Sequence, residues 1–251
     1  DDDDNDGVKD TDETTDGTNT KDPNSIASKI TPIDDQTGVV GKEITPVTVT
    51  VEKIPTDGSV KVEGLPDGVS YDPATKQITG TPTTEGVSKV TVTVLGKDGN
   101  PVKGADGKPV TETFTFTVTT KDADKYTPEY ADTLVTPGKP ATVTPTFKGK
   151  DNAETKAPEG ATYSIPSDFK APEGYTVTID PNTGAITTEA KPGTKIEEVD
   201  VPVTVTYKDK STDSVTAKFK LDTDGDGIPD VTDDDDDNDG VKDTDETTDG
   251  T

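Results

Sequence analysis

Through the middle of the chain, apolar residues fall on alternate positions. Segments 44–51, 87–95, 110–119, 175–179, 199–207 and 214–221 interleave Val, Ile, Phe, Tyr or Leu with Thr, Lys, Glu or Ser. A period of two marks strands with one buried face. Val90, Val92 and Val94 are predicted to point inward while Thr91 and Thr93 face water, and Phe114, Phe116 and Val118 follow the same rule. Asp-Gly, Pro-Asp-Gly, Pro-Glu-Gly and Asp-Pro steps separate the runs as turns. No stretch keeps a helical period for more than about two turns. Roughly seven short strands per roughly 95 residues predict a β-sandwich.

Two repeats divide the chain. Residues 72–79 (DPATKQIT) and 180–187 (DPNTGAIT) share D-P-x-T-x-x-I-T, and similar turns precede them at Leu65-Pro66-Asp67-Gly68 and Ala171-Pro172-Glu173-Gly174. One supersecondary unit therefore occurs twice. The expectation is an all-β chain with two Ig-like β-sandwich domains in tandem, at 26–121 and 122–221, flanked by acidic segments at 1–25 and 222–251. The second repeat is longer and without a mismatch: residues 1–18 recur letter for letter at 234–251, an offset of 233. That identity is the mark of a tandem array, in which the chain holds one period and the start of the next. Neighbouring repeats of the same chain are then its first partners.

Charge sharpens the division. Residues 1–25 hold ten acids and two lysines, and residues 222–251 hold fourteen acids and one lysine, while the net charge of the whole is −27. Such a field repels nucleic acid and anionic membrane and attracts divalent cations. No apolar run approaches the roughly 18 residues of a membrane span. The chain has no His and no Cys, so triad, thiol and ordinary zinc or copper chemistry are absent. Paired carboxylates remain, but no aromatic-lined cleft accompanies them, and no catalytic residue is expected.

The acids are spaced for calcium. Asp222, Asp224, Asp226, Asp230 and Asp233 occupy positions 1, 3, 5, 9 and 12 of a loop with Gly227 at position 6. Asp235, Asp237, Asp239, Asp243 and Glu246 repeat the spacing with Gly240, and Asp2, Asp4, Asp6, Asp10 and Glu13 repeat it with Gly7. Calcium takes six to eight hard oxygens at about 2.3–2.6 Å. Acids on alternate residues of a tight loop turn three carboxylates toward one point, glycine permits the bend, and a final carboxylate closes the shell. Position 7 is expected to add a backbone carbonyl, from Val8, Ile228 and Val241. The predicted cofactor is Ca2+, and the N-terminal loop, without a partner loop before it, is expected to be a weak or distorted site.

These motifs resemble known families. Residues 65–82 (LPDGVSYDPATKQITGTP) resemble the putative-Ig domains of bacterial surface proteins, with Lys76 where the family has Gly. Tyr126-Thr127-Pro128-Glu129-Tyr130, Val135-Thr136-Pro137-Gly138, Ala171-Pro172-Glu173-Gly174-Tyr175 and Val201-Pro202-Val203-Thr204-Val205-Thr206-Tyr207 resemble the Rib/alpha-like repeats of Gram-positive surface proteins. The paired acidic loops lack flanking amphipathic helices and resemble thrombospondin type 3 repeats rather than EF-hands. Together the resemblance implies a calcium-stiffened spacer in an extracellular, cell-wall-anchored, biofilm-associated adhesin that projects a distal binding region. A direct binding module is the alternative. It would join copies of the protein on neighbouring cells, or dock a host ligand, with loop 96–109 as a candidate tip.

Overall fold

The computed structural model describes residues 1–243; Glu246, the last expected ligand of the third loop, lies outside them. The chain separates into two compact units, Asp1–Thr120 and Lys121–Thr251, each with its own apolar core.

In the first unit, Gln36–Val39, Thr111–Thr119, Gly86–Leu95 and Ser59–Glu63 form a four-stranded sheet in that order. Gln36–Val39 runs parallel to Thr111–Thr119, and the other pairings are antiparallel. A second sheet holds Val47–Thr48, Gln77–Gly80 and Val69–Asp72. Val90, Val92, Phe114 and Phe116 of one sheet meet Val69 and Ile78 of the other in one cluster. That is a sandwich: each strand buries alternate side chains, so a chain of only 26% hydrophobic residues still closes a core.

The second unit repeats the plan. Thr133–Val135, Thr212–Leu221, Glu198–Thr206 and Thr162–Ser164 form the four-stranded sheet, again with its first pair parallel. Ala141–Val143, Ile186–Ala190 and Tyr175–Ile179 form the three-stranded one, and Thr127–Glu129, Thr146–Lys148 and Glu154–Thr155 add a small third sheet. The D-P-x-T motif is the turn of the same hairpin in both units, between Val69–Asp72 and Gln77–Gly80 and between Tyr175–Ile179 and Ile186–Ala190. Asp72 accepts the Ala74 N–H at 2.9 Å and Asp180 the Asn182 N–H at 2.8 Å. Lys76 adopts φ 58° where its counterpart Gly184 has φ 72°. The turn is therefore kept in spite of the lysine.

The long strands lie close to where alternation put them. Val90, Val92 and Val94 are fully buried. Thr93, expected to face water, is buried at 9% exposure. Its cross-strand neighbours Lys61 and Thr111 stand directly beside it on the outer face. The run 44–51 yields only the short pieces Val47–Thr48 and Val51–Glu52. Loop 96–109 is built into the first unit: Val102 is fully buried, Lys103 bridges both Ser25 and Pro109, and the Asn24 side chain donates to Asp98 at 2.8 Å.

Candidate metal centres

Each acidic loop is shaped by hydrogen bonds from its own backbone. The position-5 carboxylate accepts the N–H of position 7: Asp6 from Val8 (2.7 Å), Asp226 from Ile228 (2.7 Å) and Asp239 from Val241 (2.8 Å). Position 3 accepts from position 5, at Asp4 (3.4 Å), Asp224 (2.9 Å) and Asp237 (3.2 Å). Position 1 accepts from glycine, Asp2 from Gly7 (3.2 Å), Asp222 from Gly225 (2.9 Å) and Asp235 from Gly240 (3.1 Å). Positions 4 and 6 are left-handed in all three loops: Asn5 (φ 58°) and Gly7 (95°), Gly225 (80°) and Gly227 (97°), Asn238 (55°) and Gly240 (90°). Asn and Gly tolerate that region best, which explains both positions.

This winding brings three carboxylates together in every loop. Asp2, Asp4 and Asp6 each offer an oxygen within 4.8 Å of the others, as do Asp222, Asp224 and Asp226, and Asp235, Asp237 and Asp239. Position 9 does something else. Oδ1 of Asp10, Asp230 and Asp243 accepts the N–H of position 2, from Asp3 (2.9 Å), Thr223 (2.7 Å) and Asp236 (3.0 Å) respectively. It clasps the two ends of the loop. Asp230 also takes the Thr223 hydroxyl on Oδ2 at 2.5 Å.

The N-terminal loop is the most enclosed. Glu13 sits on the helix Asp10–Asp16, which the sequence pattern did not announce; acids in its first turn and left-handed Gly17 at its end favour it. The Glu13 side chain is fully buried, and neither carboxylate oxygen has a hydrogen-bond partner. Burial, then the charges of Asp4, Asp6, Asp10 and Asp2, push its pKa up to about 7. Asp4 and Asp6 are also raised, chiefly by burial. Oδ1 of Asp2 and Oδ2 of Asp4 and Asp6 are sealed without partners. Buried carboxylates lacking donors are costly unless a cation meets them. Hard oxygens in this number suit calcium.

The second loop is anchored to its own unit, the Asp222 N–H donating to the Val135 carbonyl at 3.1 Å. Burial raises the Asp222 pKa. Asp233, its expected closing ligand, accepts the Asp235 N–H at 3.1 Å and stands outside the triad. Ile228 and Val241 lie 46% and 40% exposed, whereas Val8 packs on the first core. Asp236, at position 2 of the third loop, was not singled out by the alternating-acid rule. Its Oδ1 is buried and unpartnered, and burial with Asp230, Asp243, Glu197 and Asp233 raises its pKa to about 6.

An all-β chain of Ig-like sandwiches trailing acidic loops is the class that fold and loops define. Residues 23–119 match the family model described as Putative Ig domain, and residues 123–222 match that of the Long Rib domain. Segments of this chain are similar to the Serine-rich adhesin for platelets of Staphylococcus aureus, 38% identical over 138 residues in strain N315 and 37% in strain MRSA252. The match covers 52% of this chain, and only 6% and 10% of those two relatives. Among solved structures, the human desmocollin-1 ectodomain aligns with 77% of this chain and 42% of its own, at 15% identity and a TM-score of 0.41. The two domain families and the adhesin relative are those of a non-enzymatic surface protein. No helix among the described residues is long and apolar enough to cross a membrane.

Proposed function

We propose that the chain is a calcium-stiffened spacer repeat of an extracellular, cell-wall-anchored bacterial adhesin, supporting adhesion or biofilm formation by projecting a distal binding region. The observation that carries the calcium part is Glu13: a fully buried carboxylate with no donor, beside a triad of converging aspartates. The domain families and the staphylococcal relative support the surface role. Metal-free, the acidic loops repel themselves; calcium neutralises them and couples its binding energy to their order. Sites of this kind fill at about 0.1–1 mM calcium, the range of extracellular modules.

Isothermal titration of the chelated chain with calcium, paired with hydrogen exchange of residues 1–13 and 222–243, tests this. Saturable binding with slowed exchange in both segments is expected. Titration without heat, or exchange unaltered by millimolar calcium, overturns it.

A further inference from the structure

Residues 1–18 and 234–251 have one sequence, and residues 1–10 and 234–243 within it stand in two surroundings whose differences are informative. On one side of the segment, Asp3 is exposed, while its twin Asp236 is partly buried and lines a hollow with Thr194, Lys195, Glu197 and Leu221 of the second unit. On another side the contrast reverses. Asp6 is 4% exposed and its carbonyl accepts the Thr56 N–H at 2.9 Å, while its twin Asp239 is exposed. Val8 packs on the first unit's core, while its twin Val241 is 40% exposed. A Cβ on Gly7 would lie 2.2 Å from the Thr56 hydroxyl; one on Gly240 would meet nothing within 4 Å. The Lys53 ammonium pairs with Asp16, three residues beyond the buried Glu13.

The segment thus has two docking faces, and each of its copies in this chain uses one. We infer that in a tandem array a single segment uses both at once. The Asp236 side rests on the Rib-type unit of one copy, and the Val241 side rests on the Lys53–Thr56 surface of the Ig-type unit of the next copy. The occupant of that surface is therefore the preceding copy's residues 234–251. The second loop completes the joint, because the Asn238 amide donates to Asp224 and the Asp235 N–H to Asp233. The contacts are backbone, apolar and ionic, so the joint exists apart from any metal. It rests on the tandem reading, which a proteolytic ladder of 233-residue spacing from the native surface protein tests separately.

The chain has no cysteine, so two introduced ones label uniquely. In a two-copy chain sharing one 234–251 segment, spin labels go on Thr216→Cys of the first copy and Thr111→Cys of the second. Pulsed dipolar spectroscopy in calcium is expected to show one narrow distance. Val241→Lys in the shared segment, or Lys53→Glu in the second copy, is expected to abolish that peak with both units still melting cooperatively. A broad distribution in the unsubstituted chain overturns the joint, as does a narrow peak that survives both substitutions. Calcium titration of the same protein separates the joint from the metal sites: full binding with a broad distribution sinks the joint and leaves the calcium reading standing.

Discussion

Glu13 sets the terms at the scale of single residues. Its ordinary pKa is 4.5, and in the folded metal-free chain it rises to about 7, first through burial and then through the surrounding aspartates. The folded state therefore holds a proton that the unfolded chain releases earlier. Stability from this group is fully present below pH 4.5, falls as pH rises toward about 7, and levels off above it. Under the proposed calcium binding, the metal is expected to invert that dependence by favouring the carboxylate. Glu13→Gln is expected to raise the metal-free melting temperature at pH 7.5 and to weaken calcium at this loop roughly tenfold or more. Calorimetry in chelator and in calcium reads both, and a variant with unaltered affinity would remove Glu13 from the site. The triads were legible in the sequence, because acids at alternate positions around a glycine have one simple geometry. The clasp made by Asp10, Asp230 and Asp243 was not, since a ligand and a loop-closing acceptor use the same residue type. Nor were the surroundings of Asp236, which depend on Glu197, far away in the sequence.

Among elements, the long strands were legible and the short ones were not. Gly86–Leu95 and Thr212–Leu221 carry enough alternating positions for a period to show, whereas Lys29–Ile30 and Val51–Glu52 are two residues each. Their pairing is decided by what lies opposite. Docking of the N-terminal loop on the first sandwich was equally hidden, because one valine in an acidic run has no pattern to announce it. The repeated D-P-x-T-x-x-I-T unit, by contrast, was legible, though the hairpin it turns was not, and it offers a controlled comparison. Lys76 pays for a left-handed conformation that glycine adopts freely. Lys76→Gly is expected to gain about 0.5–1 kcal/mol in urea denaturation. The reverse change, Gly184→Lys, would bring a Cβ to 2.7 Å from the Tyr163 ring and 2.9 Å from Pro145. A loss of about 2 kcal/mol or more is expected there. Effects of equal size would mean that the crowding around Gly184 by Tyr163 and Pro145 adds nothing to the cost of a side chain there.

Across the whole molecule, the internal repeats exposed the plan: two sandwiches of one topology between acidic ends. They did not expose the parallel pairing of the first and last strands of each four-stranded sheet. Gln36–Val39 lies along Thr111–Thr119 in register Gln36 to Phe116 through Val39 to Thr119, and Thr133–Val135 lies along Thr212–Leu221 in the same way. Sequence patterns mark faces, not neighbours, so nothing announced it. In a parallel pair, the start of one strand and the end of the other lie at opposite ends of the ladder. Tension applied through the two termini of a unit therefore drags these strands past one another and loads their evenly spaced hydrogen bonds together, in shear, instead of opening them one at a time. Val40→Pro removes the donor that reaches the Thr119 carbonyl at 2.9 Å, at the end of the first ladder. Optical-tweezer pulling is expected to show the first unit rupturing in one abrupt step, at a force that this substitution lowers. Gradual extension of the unsubstituted unit would contradict it. A surface filament built of such units would resist flow by this arrangement of two short strands, whatever its tip holds.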